Sequence, residues 1–371
     1  MVYDLAAQNT GRQNALNSWI TLSYDLAGRQ LALFNEVGFG VTNSYDADGR
    51  TASVINGMSR VKTMTYDAAS NMTGTAYFDG TILTLQYDPL NRTTTMSDWT
   101  GMTTYAFDPR SLLVGKTDPG PLVQFYSYDA NNNRTLLIDP DSGRYTTTFD
   151  ALDRSYVLTD RANRVFTGLY DADGRNTTLL SANAAQTIRT FDPVGRVITL
   201  IEATAAAVPV MTIVDAYDPG GRKTSTSKNG VVTTYSNDAT NRLLGQTVLN
   251  GCATFSYDAV GNVLLKWDQG LAPLTMTYDA ASRLVTQLFG STTTLTAYNQ
   301  AGGMSTETVA GAITSYGYDG ENRLLKITYS SNQVLTNSYS GDGLRITWQA
   351  FGGHINTQIW DGANYLGEIQ S

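Results

Sequence analysis

Aspartate is the residue type in this sequence whose regular spacing most nearly suggests a catalytic or metal-binding site. Asp25, Asp46 and Asp171 each follow an aromatic residue, and comparable copies recur at steps of 20 or 21 residues. Two adjacent carboxylates can act as general acid and base, and calcium is bound where six to eight oxygens converge. Only one acidic residue recurs in each copy, so neither arrangement is assembled. The sequence therefore predicts no catalytic, cofactor-binding or metal-binding residues.

The remaining reactive residue types are too few to build a conventional active site. His354 is the only histidine, which disfavours a Ser-His-Asp triad and a histidine-based metal site. Cys252 is the only cysteine, so an intramolecular disulfide is excluded and a small buried hydrophobe is expected. The Gly38-Phe39-Gly40 segment is not followed by a helical pattern, as a phosphate-binding loop would require. The sequence predicts that the protein is not an enzyme.

The recurrent aspartate belongs to a longer motif, aromatic-Asp-x-x-Gly/Asn-Arg. Thirteen of the 22 tyrosines occupy its aromatic position. The position four residues after the aromatic holds glycine in eight copies and asparagine in five, the residues that accept a positive φ most readily. The motif therefore predicts a tight turn that ends one strand and opens the next. Representative copies comprise Tyr24, Asp25, Gly28 and Arg29; Tyr45, Asp46, Gly49 and Arg50; Tyr170, Asp171, Gly174 and Arg175; Tyr217, Asp218, Gly221 and Arg222; and Tyr318, Asp319, Asn322 and Arg323.

Each residue of this repeat motif is expected to have a structural role. The aspartate is predicted to accept hydrogen bonds from backbone N–H groups of the turn, as aspartates do in Asx-turns. The aromatic is predicted to stack on its counterpart in the neighbouring hairpin, forming a ladder of rings. The arginine is expected to pair with the aspartate or to lie along a neighbouring strand. The alternative for the aromatic is a platform on which a sugar stacks.

The segments between the motifs indicate the elements that position them. About fifteen residues separate successive motifs, and a second turn signal such as Asn56-Gly57 or Asn229-Gly230 divides them. Apolar residues alternate in the arms, as in Leu83, Leu85 and Tyr87, which is typical of strands with one buried face. Each repeat is therefore predicted to be a β-hairpin with strands of about six to eight residues.

Repetition of this unit predicts an all-β fold made of tandem antiparallel β-hairpins. About 18 hairpins are expected in a single array over residues 1–371. One step lengthens to 26 residues, which predicts an enlarged hairpin loop at about 203–209. A β-propeller would need blades of about 40 residues and an alternation of strong and weak copies. A parallel β-helix would not need turns suited to antiparallel hairpins, so the hairpin array is favoured over both.

Charge and hydropathy limit the classes of partner. The formal net charge is −8, and no basic stripe is present, so nucleic-acid binding is not expected. No apolar run approaches the ~20 residues that span a bilayer, so no membrane span is predicted. The first residues, Met1 to Leu5, lack the basic and apolar regions of a signal peptide. Secretion is therefore expected only as part of a larger exported protein.

The motif and its spacing resemble the YD repeat of the Rhs, teneurin and toxin-complex families, and the resemblance runs from Tyr3 to Gly367. It implies hairpins joined edge to edge in a long, strongly curved or spiralling sheet that forms a shell. In bacterial members such a shell encloses a toxin, and similar repeats have been associated with carbohydrate binding at cell surfaces. No C-terminal core or toxin domain is recognised here. The implied partners are other parts of a longer Rhs-type polypeptide or a toxin cargo.

Two functions follow from this resemblance. The first is a non-catalytic structural segment of a shell that encloses or displays another polypeptide. The alternative is an extracellular carbohydrate-binding or adhesion module, with a glycan as its ligand. A lectin-like site would gather exposed Trp or Tyr with Asp and Asn at one place, whereas a shell would present a more uniform surface.

Overall fold

The fold is built of β-strands, and the computed structural model describes residues 1–120 and 122–370. Pro121 and Ser371, the last residue of the predicted array, lie outside the described ranges. The strands are β1 (Val2–Tyr3), β2 (Asn9–Gln13), β3 (Trp19–Tyr24), β4 (Gln30–Phe34), β5 (Gly40–Tyr45), β6 (Thr51–Ile55), β7 (Val61–Tyr66), β8 (Met72–Tyr77), β9 (Ile82–Tyr87), β10 (Thr93–Asp98), β11 (Gly101–Phe107), β12 (Leu113–Asp118), β13 (Leu122–Tyr128), β14 (Arg134–Ile138), β15 (Arg144–Phe149), β16 (Ser155–Thr159), β17 (Val165–Tyr170), β18 (Asn176–Leu180), β19 (Gln186–Phe191), β20 (Val197–Ala203), β21 (Pro209–Tyr217), β22 (Lys223–Lys228), β23 (Val231–Asn237), β24 (Leu243–Val248), β25 (Gly251–Tyr257), β26 (Val263–Asp268), β27 (Leu274–Tyr278), β28 (Leu284–Phe289), β29 (Thr292–Tyr298), β30 (Met304–Val309), β31 (Ala312–Tyr318), β32 (Leu324–Thr328), β33 (Val334–Tyr339), β34 (Arg345–Ala350), β35 (Ile355–Asp361) and β36 (Asn364–Gln370).

All 36 strands belong to one open sheet, and strands that follow one another in sequence pair antiparallel, as β4 does with β5 and β5 with β6. The predicted all-β class and the antiparallel hairpins are confirmed. Most strands have five to seven residues, slightly fewer than expected. Within the described residues the chain has no helix, and so none that is long and apolar enough to cross a membrane.

Side-chain burial follows the period of two that an extended strand imposes. In β13, Gln124 and Tyr126 are buried, whereas Phe125 between them is exposed. Tyr126 Oη donates a hydrogen bond of 2.6 Å to Gln124 Oε1, so each of these two buried oxygen atoms has a polar partner. Leu83 in β9 is buried between two exposed neighbours in the same alternating manner.

The long step between two motifs has a different cause from the one predicted. Residues 204–208 form an ordinary five-residue loop in which Thr204 N donates to Val208 O and Ala207 N donates to Thr204 O. The same bonds close the loop at residues 14–18. The extra residues lengthen the flanking strands instead, so that β20 has seven residues and β21 has nine. The expected enlarged loop at 203–209 is therefore replaced by a longer hairpin.

The sheet divides into two compact units. Unit 1 comprises Met1–Thr104, Ser256–Lys266 and Ala272–Ser371. Unit 2 comprises Tyr105–Phe255 and Trp267–Leu271. Unit 1 thus brings together the first and last repeats of the sequence, and unit 2 holds most of the middle ones.

Candidate functional site

The repeat motif forms a tight turn, called here a corner and defined as the residues from the motif aspartate to the motif arginine. In the corner that begins at Asp46, the side-chain Oδ1 accepts hydrogen bonds from Asp48 N (3.0 Å) and Arg50 N (2.8 Å). Asp46 N donates to Arg50 O, and Gly49 N donates to Asp46 O. Gly49 has a φ of +82°, the conformation in which a side chain is strained. A single carboxylate oxygen therefore organises the whole loop.

The second carboxylate oxygen holds the motif arginine. Arg50 Nε donates to Asp46 Oδ2 at 2.7 Å, and Arg175 makes the same bond to Asp171 Oδ2 at 2.7 Å. The same arrangement, with a positive φ at the Gly or Asn position, recurs at Asp25 with Gly28 and Arg29, Asp171 with Gly174 and Arg175, Asp218 with Gly221 and Arg222, and Asp319 with Asn322 and Arg323.

The motif aromatic connects its corner with the preceding repeat. Tyr45 Oη donates to Gln30 O at 2.8 Å, and the guanidinium of Arg29 lies 4.6 Å from the centre of the Tyr45 ring. The same stacking of an arginine on the next aromatic is seen for Arg50 on Tyr66, Arg154 on Tyr170, Arg175 on Phe191, Arg196 on Tyr217, Arg283 on Tyr298 and Arg323 on Tyr339. Tyr24, Tyr170, Tyr217 and Tyr318 donate to the carbonyl oxygens of Asn9, Ser155, Val197 and Met304.

The prediction that successive motif aromatics stack ring on ring is wrong for these copies. Because the motif arginine extends from one corner towards the next, a guanidinium and not a second ring lies over the face of seven motif aromatics: Tyr45, Tyr66, Tyr170, Phe191, Tyr217, Tyr298 and Tyr339. The interaction is of the cation–π type, and the same guanidinium also binds the carboxylate of its own corner. Aspartate, arginine and the following aromatic thus form one linked unit that joins neighbouring hairpins.

Degenerate copies keep the bonds within the corner. Asn71 replaces the arginine, and its Nδ2 donates both to Asp67 Oδ2 and to Asn91 Oδ1 of the following corner. Asn299 replaces the aspartate, and its Oδ1 accepts from Ala301 N and Gly303 N, each at 2.9 Å. The amide oxygen of asparagine therefore substitutes for the carboxylate in closing the loop.

The last copy does not form a corner of this kind. Asp361 pairs directly with Asn364 across a two-residue turn, and the positive φ lies at Gly362. Asn364 opens β36 and does not have the turn conformation that the motif predicts for it.

The hydrogen bonds of the corner lower the pKa of its aspartate. For Asp25, Asp171 and Asp218 the largest cause is the hydrogen bond from the backbone N–H of the motif arginine, since this bond favours the charged carboxylate. The pKa is also lowered in most other corners for which a shift is resolved, among them those of Asp67, Asp88, Asp150 and Asp192. A lowered pKa is the reverse of what a general acid needs at neutral pH.

In unit 1, hairpin loops of the first repeats lie against corners of the last repeats. This contact, called here the seam, joins loops 56–60, 77–81 and 98–101 to residues 299–303, 318–323 and 339–343. Arg60 Nη1 donates to Asp319 O at 3.2 Å. Trp99 Nε1 donates to Tyr339 O at 2.8 Å. Residues separated by about 240 to 260 positions in the sequence are therefore in direct contact.

Glycine permits the close approach of the two sides of the seam. A Cβ atom placed on Gly57 would lie 2.0 Å from Gln300 O, a backbone atom that cannot move aside without shifting the chain. A Cβ on Gly320 would lie 3.3 Å from the Tyr77 ring, and one on Gly341 would lie 2.5 Å from Leu83 Cδ1. The seam therefore leaves no room for a Cβ atom at residue 57 and little room for one at residues 320 and 341.

A cavity of about 350 Å³ lies along the seam within unit 1. Leu33, Val54 and Phe78 contribute to its apolar lining, and Lys62 and Glu321 form an ion pair of 2.9 Å at its border. The guanidinium of Arg60, which also lines the cavity, lies 4.4 Å from the centre of the Phe78 ring.

An aromatic pair stands beside this cavity. The rings of Tyr77 and Trp99 meet edge to face with centres 5.7 Å apart. Burial, and secondarily the nearby Glu321, raises the pKa of Tyr77 to about 12. The repeat motif does not indicate these residues, because Tyr77 ends β8 next to a hairpin loop and Trp99 lies in one, and these loops differ from repeat to repeat. The signal in the sequence is a large aromatic at or beside a hairpin loop, where polar residues prevail.

Other residues considered from the sequence stand apart from the seam. Cys252 is half-buried in β25, and His354 is exposed in the loop that precedes β35. Over residues 1–120 and 122–370, no group of three or more His, Cys, Asp or Glu side chains is arranged to hold a metal ion.

Comparison with known proteins identifies the repeat. Residues 45–82 match the model of the RHS Repeat family. No curated protein matches the sequence significantly. The crystal structure of TcdB2-TccC3-Cdc42 is similar with 14% identity and a TM-score of 0.68, covering 92% of this chain and 22% of that one. The crystal structure of TcdB2-TccC3 is similar with 16% identity and a TM-score of 0.63, covering 96% and 24%.

The likeness to these structures concerns the fold, since the identities are low. The chain spans about a quarter or less of the length of the chains that it matches. The RHS-repeat match at residues 45–82 and the shared fold confirm the resemblance to the YD (Rhs) repeat family that the corner motif predicted.

Proposed function

We propose that this chain is a non-catalytic structural segment of an Rhs-type shell that encloses or displays another polypeptide, such as a toxin. The observation that carries the proposal is that the corners use their own polar groups internally. In the corner at Asp171, Oδ1 binds two backbone N–H groups, and Oδ2 binds the guanidinium of Arg175. The groups that recur most often are thus engaged in holding hairpins together and are not directed at a ligand.

The linked arrangement of aspartate, arginine and aromatic supports the proposed role of the twenty motif residues. Because seven of the arginines lie over the next aromatic, their corners are attached to their neighbours as well as closed on themselves. Such a repeated link suits a wall that must keep its form over many hairpins.

The fold shared with TcdB2-TccC3 also supports the proposal, and the small share of those chains that is covered suits a segment of a larger assembly. The proposed partners are other parts of a longer Rhs-type polypeptide and an enclosed cargo. The proposed location is outside the cell, as part of a larger exported protein.

Protection of a cargo tests this function. An unstructured, protease-sensitive reporter fused to the chain should be cleaved more slowly than the same reporter fused to a chain whose seam is broken by Gly57→Ala. Both fusions would be verified for β-structure by circular dichroism. Equal cleavage of the two reporters, with both chains folded, would contradict an enclosing role.

The carbohydrate-binding alternative depends on the aromatic cluster of the seam. Tyr77 and Trp99 lie near Asp79 and Glu321, as a sugar site would require. Trp99 Nε1, however, is already bound to Tyr339 O, so the cluster is engaged in the seam. Glycan-array binding by the intact chain that disappears in Trp99→Ala would favour the alternative over the shell.

A further inference from the structure

We propose that the cavity along the seam of unit 1 binds a small organic anion with an apolar body, such as an aromatic carboxylate or sulfonate. The cavity has a volume of about 350 Å³, and sites for small molecules typically measure roughly 300 to 1,000 Å³. Since an apolar cavity of about 150 Å³ accommodates benzene, this one has room for two aromatic rings. Such a ligand site is independent of the proposed shell function.

One side of the cavity is an apolar wall formed by one face of the sheet. Leu33 of β4 lies opposite Val41 of β5, and Val54 of β6 extends the wall on the same face. Phe78, from the loop after β8, adds an aromatic ring. Val41 is 36% exposed and Phe78 is 45% exposed, so a ligand can reach the wall from solvent. The wall favours a ligand with an apolar body, which it would shield from water.

The charge around this wall is positive, although the chain as a whole is acidic. The formal net charge of the chain is −8. Among the described residues that line the cavity, Arg60 and Lys62 are basic and only Glu321 is acidic. Lys62 and Glu321 offset each other in their ion pair of 2.9 Å, so the charge of Arg60 remains. A cleft with an excess of one sign of charge attracts ligands of the opposite sign.

Arg60 is held in place and still has donors to offer. Its Nη1 donates to Tyr318 O at 3.3 Å and to Asp319 O at 3.2 Å, and its guanidinium carbon lies 4.4 Å from the centre of the Phe78 ring. Its Nε and Nη2 form no hydrogen bond within the described part of the chain. Asp79 interacts with this guanidinium electrostatically, but it does not line the cavity. Nε and Nη2 share one edge of the guanidinium and match two oxygens of a carboxylate or sulfonate.

Two asparagines of the cavity offer donors where comparable loops carry a carboxylate. Asn35 and Asn56 each begin a hairpin loop, and their Oδ1 atoms accept the backbone N–H four residues later at 2.9 and 3.1 Å. In unit 2, Asp139 and Asp160 close loops in the same way, at 2.7 and 3.0 Å. Closing the loop therefore does not require asparagine. The Nδ2 groups of Asn35 and Asn56 have no acceptor among residues 1–120 and 122–370, and so they are available to an anion.

These features together define the ligand that fits. Its anionic group would bind Nε and Nη2 of Arg60 among neutral amide donors, and its apolar body would lie against Leu33 and Val54. The lining residues belong both to loops of the first repeats and to corners of the last repeats. A ligand that contacts both sides binds only the closed seam, and binding should therefore stabilise the seam.

Titration of the full chain with two fluorescent probes tests this inference. Anilinonaphthalene sulfonate carries two aromatic groups and a sulfonate, and phenylnaphthylamine has the same rings without the charge. We expect the sulfonate to bind at a single saturable site. The uncharged probe should bind about tenfold or more weakly, as expected for the loss of charge-assisted hydrogen bonds. Val54→Trp, which fills the cavity, should abolish the binding of both probes.

Charge variants that keep the loops closed provide the decisive comparison. Asn35→Asp combined with Asn56→Asp should weaken binding of the sulfonate by about tenfold or more and leave binding of the uncharged probe unchanged. The matched control is Asn14→Asp, in a loop that is closed by the same bonds but does not line the cavity. This control should bind both probes as the intact chain does.

Four results would each overturn the proposal: equal affinity for the two probes, an undiminished affinity of the double variant for the sulfonate, an equal loss in Asn14→Asp, or binding that persists in Val54→Trp. Circular dichroism of all variants shows that they remain folded.

Discussion

Two corners of unit 1 have the same internal structure and different surroundings. In both, the aspartate accepts a hydrogen bond from the backbone N–H of the motif arginine, at 2.9 Å for Asp25 and 2.8 Å for Asp319. Leu26, which follows Asp25, projects freely into solvent, whereas Gly320, which follows Asp319, lies against Tyr77 and Phe78. The comparison shows that a corner closes by local bonds whether or not a loop lies against it, and that the residue after the aspartate differs between the exposed and the docked corner.

Low pH should weaken the hydrogen bonds to the aspartate carboxylate that exposed and docked corners share. The corner aspartates with a lowered pKa stabilise the fold at every pH above the unfolded-state pKa of about 3.9, and this stabilisation is lost as the pH falls through their lower folded-state values. The free energy of unfolding should thus be nearly constant above about pH 5 and fall steeply below about pH 4. Thermal unfolding followed by circular dichroism across this range measures it. A stability that rises on acidification would contradict the role of the corners.

Substitution of Gly57 should disrupt the seam, the contact that distinguishes the docked corners from the exposed ones. In Gly57→Ala the new Cβ would collide with Gln300 O, so the seam must open or shift. We expect the free energy of unfolding of unit 1 to fall by about 1 to 3 kcal/mol, the usual range for overpacking. Urea denaturation measures this change. Gly367→Ala, where nothing lies within 4 Å of the added atom, is the control. Equal stability of the two variants would show that the seam accommodates the added Cβ atom without cost.

A smaller effect should follow from opening one corner. Asp171→Ala removes the acceptor for Asp173 N and Arg175 N, whereas Asp171→Asn keeps an acceptor and loses only the charge that binds the arginine. The natural Asn299 closes its corner in this way. Asp171→Ala should therefore lower the melting temperature several times more than Asp171→Asn. Hydrogen exchange of residues 171–175 would locate the loss, and an equal effect of both variants would assign it to the salt bridge.

The smallest effect concerns the ion pair at the seam. Lys62 and Glu321 are each about one-third exposed, so their pairing is screened by solvent and should contribute about 0.5 kcal/mol. Lys62→Glu alone should destabilise unit 1, and the exchanged pair Lys62→Glu with Glu321→Lys should restore most of the loss. A double-mutant cycle measures the coupling. No restoration would mean that the two side chains act independently.

The corners could be anticipated from the sequence because their determinants are local. The residue types at Gly28 and Asn322 indicate a positive φ, and the proximity of Asp25 and Arg29 in sequence allows a pairing to be expected. The hairpin class follows from the same motif together with alternation in the strands. Here the information lies within six consecutive residues of each repeat.

The contacts between repeats could not be anticipated in the same way. The recurrence of aromatics predicts a ring-on-ring ladder, but whether a ring or a guanidinium covers Tyr45 depends on how far Arg29 reaches across the sheet. The approach of Gly57 to Gln300 spans 243 residues and has no periodic signal. The lengthened step predicts an enlarged loop, because sequence alone does not show whether added residues extend β20 and β21 or the turn between them.

Cross-linking with a zero-length carbodiimide tests most directly the central claim that hairpin loops of unit 1 meet corners of distant repeats. The seam holds Lys62 Nζ 2.9 Å from Glu321 Oε1, although 259 residues separate the two in the sequence. The account predicts an amide bond between Lys62 and Glu321 in the monomeric chain, identified by mass spectrometry of its peptides. A folded monomer in which these two residues are never joined would contradict it.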